Sequence, residues 1–331
     1  MISLPRANAT IVQAHFDTVQ PVLSKRIAKV IRNGIIVTIT EPVIIAGKSK
    51  TRAVSRRIHF DPVKHEGIID FLTDNDCLFY LITAQPEDIS VIISCFLLAA
   101  PDISDSTSVI NILLKNIFLE HAYEQLDKYQ FIKNIDIDTC VYCNRNYIYY
   151  SDTDEIIKPQ IDHFYPQSRY PFMGVSFFNL IPACQTCNGP NVKGNKCPNE
   201  ENMVLPYLLT NDVTVFDYDI TGVDLISSLK DVDKIAFTVG HPSIAGNMTA
   251  FKLDDFYQKH KDHVCELILK SKLEYSEQYC DYLNNYNGLN FTDSDIDRML
   301  IGNYTQLDEL HKRPLSKLYR DIALRLELIN E

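Results

Sequence analysis

Eight residues between positions 140 and 188 have types and spacings that can do chemistry. Cys140-Val-Tyr-Cys143 and Cys184-Gln-Thr-Cys187 are Cys-x-x-Cys knuckles, each able to give two sulfurs to one tetrahedral ion. Four such thiolates suit a structural zinc. Between and beyond them lie Asp162-His163, Asn179 and Asn188. Carboxylate and amide oxygens suit a hard cation rather than zinc, and a neutral imidazole is a base near physiological pH. Read by ligand type, the stretch holds two sites with separate jobs.

The 40 residues between Cys143 and Cys184 exceed the spacer of a simple zinc ribbon, so something folded must lie between the knuckles. The pattern predicts a strand over 155–163 that delivers Asp162 and His163 at its end. A loop rich in Pro, Ser and Gly follows over 166–174, then a second strand over 175–181. A short helix from Pro182 carries Cys184, Cys187 and Asn188. Arg145, Arg169, Lys193 and Lys196 surround this unit as candidate phosphate contacts. Tyr147, Tyr149, Phe164 and Phe172 read as packing rather than base-stacking platforms.

The rest of the chain must position this centre. The composition, 46% hydrophobic and 23% charged over 331 residues, is that of a globular protein. Met1 to Thr10 does not resemble a secretion signal, and the longest apolar run (91–100) is too short to span a bilayer. A cytoplasmic protein without a membrane segment is expected, and its nine cysteines, four of them in knuckles, read as metal-binding and free thiols rather than disulfides. The net charge of −11 argues against a protein that coats nucleic acid nonspecifically. Residues 1–58 nevertheless hold ten Lys and Arg against Asp17 and Glu41, leaving −19 for the remainder. Lys50, Arg52, Arg56 and Arg57 are the candidate nucleic-acid contacts there.

Periodicity predicts a helix over 18–32 closed by Asn33-Gly34, then strands over 35–40 and 43–46 separated by Glu41-Pro42. Helices are expected over 63–72, 87–99 and 108–132, strands over 213–218 and 235–239, and helices over 251–283, 291–301 and 314–328. His121, and His260 with His263 at i, i+3, read as structural or solvated positions. The fold class is α+β and mainly helical. Three regions are expected: an N-terminal α+β region (1–135), a central module (136–210) and a C-terminal region (211–331).

The stretch Cys140 to Gly194, roughly a sixth of the chain, resembles the HNH endonuclease motif, a ββα-metal fold, in its zinc-bracketed form. The knuckles, Asp162-His163-x-x-Pro166, Asn179-Leu180-x-Pro182 and Cys187-Asn188 follow the family order. Cys140-x-Tyr142-Cys143-x-Arg145-x-Tyr147 and Arg313-Pro-Leu-Ser-Lys317 further resemble the PtuB-like HNH nucleases of Septu and retron anti-phage systems. The resemblance implies that His163 is the general base and that Asn179 orients its imidazole. It implies one Mg²⁺ or Mn²⁺ on Asp162 and Asn188, zinc on the cysteines, a nucleic-acid substrate (DNA before RNA) and an ATPase partner. Family members often have His where this chain has Asn188; an amide oxygen serves a hard cation equally. The alternatives are an RNA-directed (tRNA) toxin nuclease using the same residues, and an inactive zinc-stabilised docking module.

Overall fold

A computed structural model describes residues 1–45, 48–153, 158–222, 226–272, 281–282 and 291–330, with Glu41, 43–45 and 48–50 described by backbone alone. The protein is α+β and about half helical, with few strands. Helix α1 (Ala9–Asn33) begins where the Asn8 side chain accepts the Ile11 N–H. Val12, Phe16, Val19, Leu23, Ile27 and Val30 recur at three- and four-residue intervals along its buried stripe. The Asn8 cap starts the helix nine residues before the expected Thr18. Its end falls as expected at Gly34 (φ 61°), where a Cβ would lie 2.1 Å from the Ile58 carbonyl oxygen.

Strands β1 (Ile35–Ile45) and β2 (Lys48–Ile58) form an antiparallel hairpin with Ile35 opposite Ile58. The expected interruption at Glu41-Pro42 is absent. In a two-stranded ribbon both strands are edges, so a proline nitrogen can face outward without losing a ladder bond. The end of the expected second strand, Ala46, lies outside the described residues.

Helices α2 (Glu66–Thr73), α3 (Asn75–Thr83), α4 (Ile89–Ala99) and α5 (Val109–Ile117) follow. The single helix expected over 108–132 is divided. A π-helical turn, Phe118–Tyr123, continues α5, and a separate α6 (Lys128–Ile135) follows. The Leu119 side chain of that turn presses on Gly174, where a Cβ would approach it to 2.4 Å.

In the centre, β3 (Gln160–His163) and β4 (Leu180–Ala183) form a two-stranded sheet, followed by one helical turn, α7 (Gln185–Asn188). The part of the expected first strand at 155–157 lies outside the described residues. The expected loop holds a 3₁₀ turn at Pro171–Met173; the segment expected as the second strand, 175–181, holds another at Phe177–Asn179, and pairing begins only at Leu180. Further on come α8 (Pro198–Glu201), the antiparallel pair β5 (Phe216–Ile220) and β6 (Ile235–Val239), α9 (Ala245–Ala250), α10 (Leu253–Tyr257) and α11 (Lys261–Lys272). The long helix expected over 251–283 is thus α10 and α11, its remainder at 273–280 and 283 lying outside the described residues. Helices α12 (Asp293–Ile301), opened by a Thr292 capping box, and α13 (Ser316–Arg325) complete the chain.

Packing groups the chain into two units, each drawn from more than one segment of the sequence. One contains Met1–Arg6, Ile132–Asp162 and Pro182–Glu331; the other contains Ala7–Phe131 and His163–Ile181. In the second, His15 of α1 bonds the Val175 carbonyl (2.8 Å) and packs edge-on against Phe177. Burial lowers the His15 pKa, so the ring stays neutral. In the first, Asn144 (φ 46°) joins the first knuckle to the C-terminal motif. Its amide nitrogen donates to Thr139 Oγ1 (3.0 Å) and the Leu310 carbonyl (2.9 Å), while its Oδ1 accepts the Lys317 N–H (3.0 Å). Lys317 Nζ reaches Asp321 Oδ1 (2.6 Å), and Asp321 Oδ2 accepts the N–H groups of Val215 and Phe216. Arg313-Pro-Leu-Ser-Lys317 is therefore a buttress of the knuckle. Among the described residues, no helix is long and apolar enough to cross a membrane.

Candidate active site

The four knuckle cysteines are buried, and their sulfurs all lie within 4.8 Å of one another. Four sulfurs about 2.3 Å from one tetrahedral ion would be about 3.8 Å apart; Cys143 Sγ and Cys184 Sγ are separated by 4.0 Å. Asn146 Nδ2 (3.2 Å) and the Cys187 N–H (3.5 Å) donate to Cys184 Sγ, and the Arg145 N–H (3.4 Å) donates to Cys143 Sγ. These are the donors a thiolate–metal centre uses to spread its charge. Contacts with neighbouring thiols, Cys140 first, pull Cys184 well below the ordinary thiol range, while burial pushes Cys140 above it. A divalent cation would stabilise all four as thiolates. The donor set fits zinc.

Asp162, at the third position of β3, is 4% exposed. Its Oδ2 accepts from Tyr142 Oη (2.7 Å) and its Oδ1 from Lys193 Nζ (3.0 Å). Burial, and then the neighbouring carboxylate, raise the Tyr142 pKa well above the usual phenol value, so the hydroxyl keeps its proton and donates. Asn188, at the end of α7, donates through Nδ2 to Gln160 Oε1 (2.9 Å). That bond assigns its Oδ1 as the oxygen available in kind to a cation.

His163 is 7% exposed, with its ring 4.8 Å from that of Tyr123. Its Nε2 lies 3.0 Å from the Gly174 carbonyl oxygen. A carbonyl only accepts, so this contact assigns a proton to Nε2. Asn179 is fully buried and binds backbone: Oδ1 accepts the Tyr165 N–H (2.8 Å), and Nδ2 donates to the carbonyls of Met173 (3.0 Å) and Tyr165 (3.3 Å). The amide thus pins both ends of the loop that carries Gly174, the acceptor of the His163 bond.

The cations fall in several environments. Lys193 is buried against Asp162. Arg145 lies over the Phe256 ring (4.3 Å), and Lys196 Nζ donates to the Ala250 carbonyl (2.7 Å). Arg169 lies 5.9 Å from the centre of the Tyr170 ring. On the hairpin, Arg52 and Arg56 are exposed, and Arg57 donates to the Asn33 carbonyl at the end of α1 (2.7 Å). The side chain of Lys50 lies outside the described atoms. His260 and His263 are joined by Asp262 in a second group with ligand atoms within 4.8 Å of one another, on a partly exposed face; His263 Nδ1 also meets Tyr319 Oη at 2.7 Å. Two contacts were not expected from the sequence: Tyr142, inside the first knuckle, reaches Asp162, and Asn146 reaches Cys184.

The class so defined is an α+β protein with a buried group of four cysteines that could hold a metal, and a short strand pair whose first strand ends in an acid and an imidazole. No protein-family model matches the chain, and no solved structure matches it. Among curated proteins it is similar to Septu protein PtuB of Bacillus thuringiensis, with 35% identity over 89 residues. The match covers 26% of this chain and 32% of the relative, so the chain spans about a third of the length of that protein.

Proposed function

We propose that this chain is a metal-dependent HNH endonuclease that hydrolyses phosphodiester bonds of nucleic acid, DNA in preference to RNA, as the nuclease effector of a bacterial anti-phage defence system. The observation that carries the reading is the order and form of the central stretch. A knuckle, a strand ending in Asp162-His163, a loop pinned by Asn179 and a second knuckle ending at Asn188 follow one another, with the four sulfurs converged. The partial similarity to Septu protein PtuB supports the same assignment.

In this reading Nδ1 of His163 takes the proton of the attacking water. The Nε2–H bond to Gly174 O holds the ring and steadies the imidazolium that forms. Asn179 acts on His163 through the loop backbone, by fixing Met173 and Tyr165. Asp162 and the Asn188 carboxamide oxygen would hold one Mg²⁺ or Mn²⁺, both being oxygen donors of the kind these ions take. Bound there, the ion would neutralise charge developing on the phosphate and the leaving oxygen. The cysteines keep the shape and stay out of the reaction. By the same resemblance, an ATPase is the protein partner that governs when cleavage occurs.

The test is nicking of supercoiled plasmid with Mg²⁺, run in parallel on total tRNA. The wild-type chain should nick plasmid, and His163→Ala should not, while keeping one zinc per chain. Equal cleavage by His163→Ala would remove His163 from the mechanism. Cleavage of tRNA alone would overturn the preference for DNA. Wild-type inactivity on both, with or without the partner, would leave a docking module.

A further inference from the structure

We infer that Tyr142 and Lys193 are positioning residues for the cation-binding carboxylate of Asp162, and that each is set in place by one of the two zinc knuckles. The inference rests on the nuclease reading above, in which Asp162 holds the divalent ion.

Tyr142 is the third residue of the first knuckle, between Val141 and Cys143. It is fully buried, and its ring stacks on Phe251 (4.1 Å between centres, 21° between planes). Held in that stack, its hydroxyl donates to Asp162 Oδ2 at 2.7 Å. Lys193 follows the second knuckle. Its backbone N–H donates to the Cys187 carbonyl (3.2 Å), and the turn closes as the Gly194 N–H reaches the Gly189 carbonyl (3.1 Å). Its ammonium, with the side chain fully buried, meets Asp162 Oδ1 at 3.0 Å. Each knuckle therefore supplies one donor to a different oxygen of the same carboxylate.

A carboxylate free to rotate presents its oxygens to a cation only part of the time. One held by a separate donor at each oxygen cannot turn about its Cβ–Cγ bond without breaking both contacts. An ionised carboxylate has about four acceptor positions. With one position on each oxygen filled by Tyr142 and Lys193, those that remain point in fixed directions. The knuckles then do more than close the fold: they aim a ligand of the second metal. Residues in contact with a ligand in this way commonly change metal affinity by about 10–100-fold when altered.

A role through charge alone makes the opposite prediction for Lys193. Removing a cation beside the metal site should, by charge alone, tighten binding of a divalent ion; removing a positioning contact should weaken it. The experiment is Mn²⁺ binding to the full chain without nucleic acid, by titration calorimetry, with zinc counted separately. Asp162→Asn supplies the baseline, including any Mn²⁺ taken by the His260, Asp262 and His263 group. Tyr142→Phe keeps the ring on Phe251 and should keep zinc, yet raise the Mn²⁺ dissociation constant about 10–100-fold. Lys193→Met should weaken Mn²⁺ binding as well. The Mg²⁺ concentration that half-saturates cleavage should rise in step in both variants. Unchanged Mn²⁺ affinity in Tyr142→Phe, or tighter binding in Lys193→Met, would overturn the inference while leaving the nuclease reading intact. If Asp162→Asn itself binds Mn²⁺ like the wild type, Asp162 is no cation ligand and both fall.

Discussion

The substitution Asn179→Asp tests the loop-pinning role with almost no change in shape. In the wild type, one amide oxygen accepts the Tyr165 N–H at 2.8 Å, and one amide nitrogen donates to the carbonyls of Met173 at 3.0 Å and Tyr165 at 3.3 Å. An ionised carboxylate keeps the first bond and turns the other two into contacts between acceptors. Two lost hydrogen bonds, at roughly 1 kcal/mol each, combine with about 1–3 kcal/mol for buried acceptors left unpaired. A loss of about 3–5 kcal/mol follows. The acid can escape part of this by taking up a proton and donating to Met173. From an ordinary value near 3.9, that costs about 4 kcal/mol at pH 7, which caps the penalty.

This gives the variant a signature in pH. Its folded state holds the new acid's pKa above the unfolded value, so the folded form binds more protons and gains stability as pH falls. Urea unfolding at pH 7 and pH 5 should show a deficit of about 3–4 kcal/mol that shrinks toward acid, by up to about 1.4 kcal/mol per pH unit. Asn179→Ala, which removes all three bonds, should show a comparable deficit with no such pH dependence. A loss below about 1 kcal/mol for Asn179→Asp, or a deficit independent of pH, would refute the assignment of the amide to the loop backbone.

Three other outcomes follow from the structure. Burial holds the His15 pKa below its ordinary 6.5, so its contribution is complete above that pH and is lost as pH falls through it. The loss should run at no more than about 1.4 kcal/mol per pH unit, and His15→Gln should flatten that part of the stability–pH curve. Lys317→Met strands the buried Asp321 carboxylate and should cost about 3–5 kcal/mol in urea unfolding, much of it recovered by adding Asp321→Asn. Cys187→Ser should release zinc, measured by atomic absorption, and lower the melting temperature; a stable, zinc-free, active variant would contradict the role given to the cysteines.

The four-cysteine group is legible in the sequence because ligand chemistry is local. Two Cys-x-x-Cys knuckles declare a tetrahedral sulfur donor set whatever surrounds them. The later part of α1 is legible for the same reason, its apolar residues from Val19 and its Gly34 stop lying within one short window, whereas its first nine residues were not expected. Boundaries fared less well where a contact remote in sequence decided them. Hairpin pairing carried β1 through Pro42, and Leu119 packed on Gly174 at the π turn.

Sequence alone determined which residues can bind zinc, which can bind a hard cation and which can take a proton, since those properties belong to side chains. Tertiary structure decided what each one touches. Lys193 looks like a surface cation until burial brings it to Asp162, 31 positions away. Arg313-Pro-Leu-Ser-Lys317 looks like an isolated motif until Lys317 meets Asn144 across 173 positions. Asn179 looks like a partner for an imidazole until its amide is seen closing a loop of backbone. Composition and spacing fix the chemistry available at a position, but burial and hydrogen-bond geometry depend on the whole folded chain, and those select the chemistry that is used.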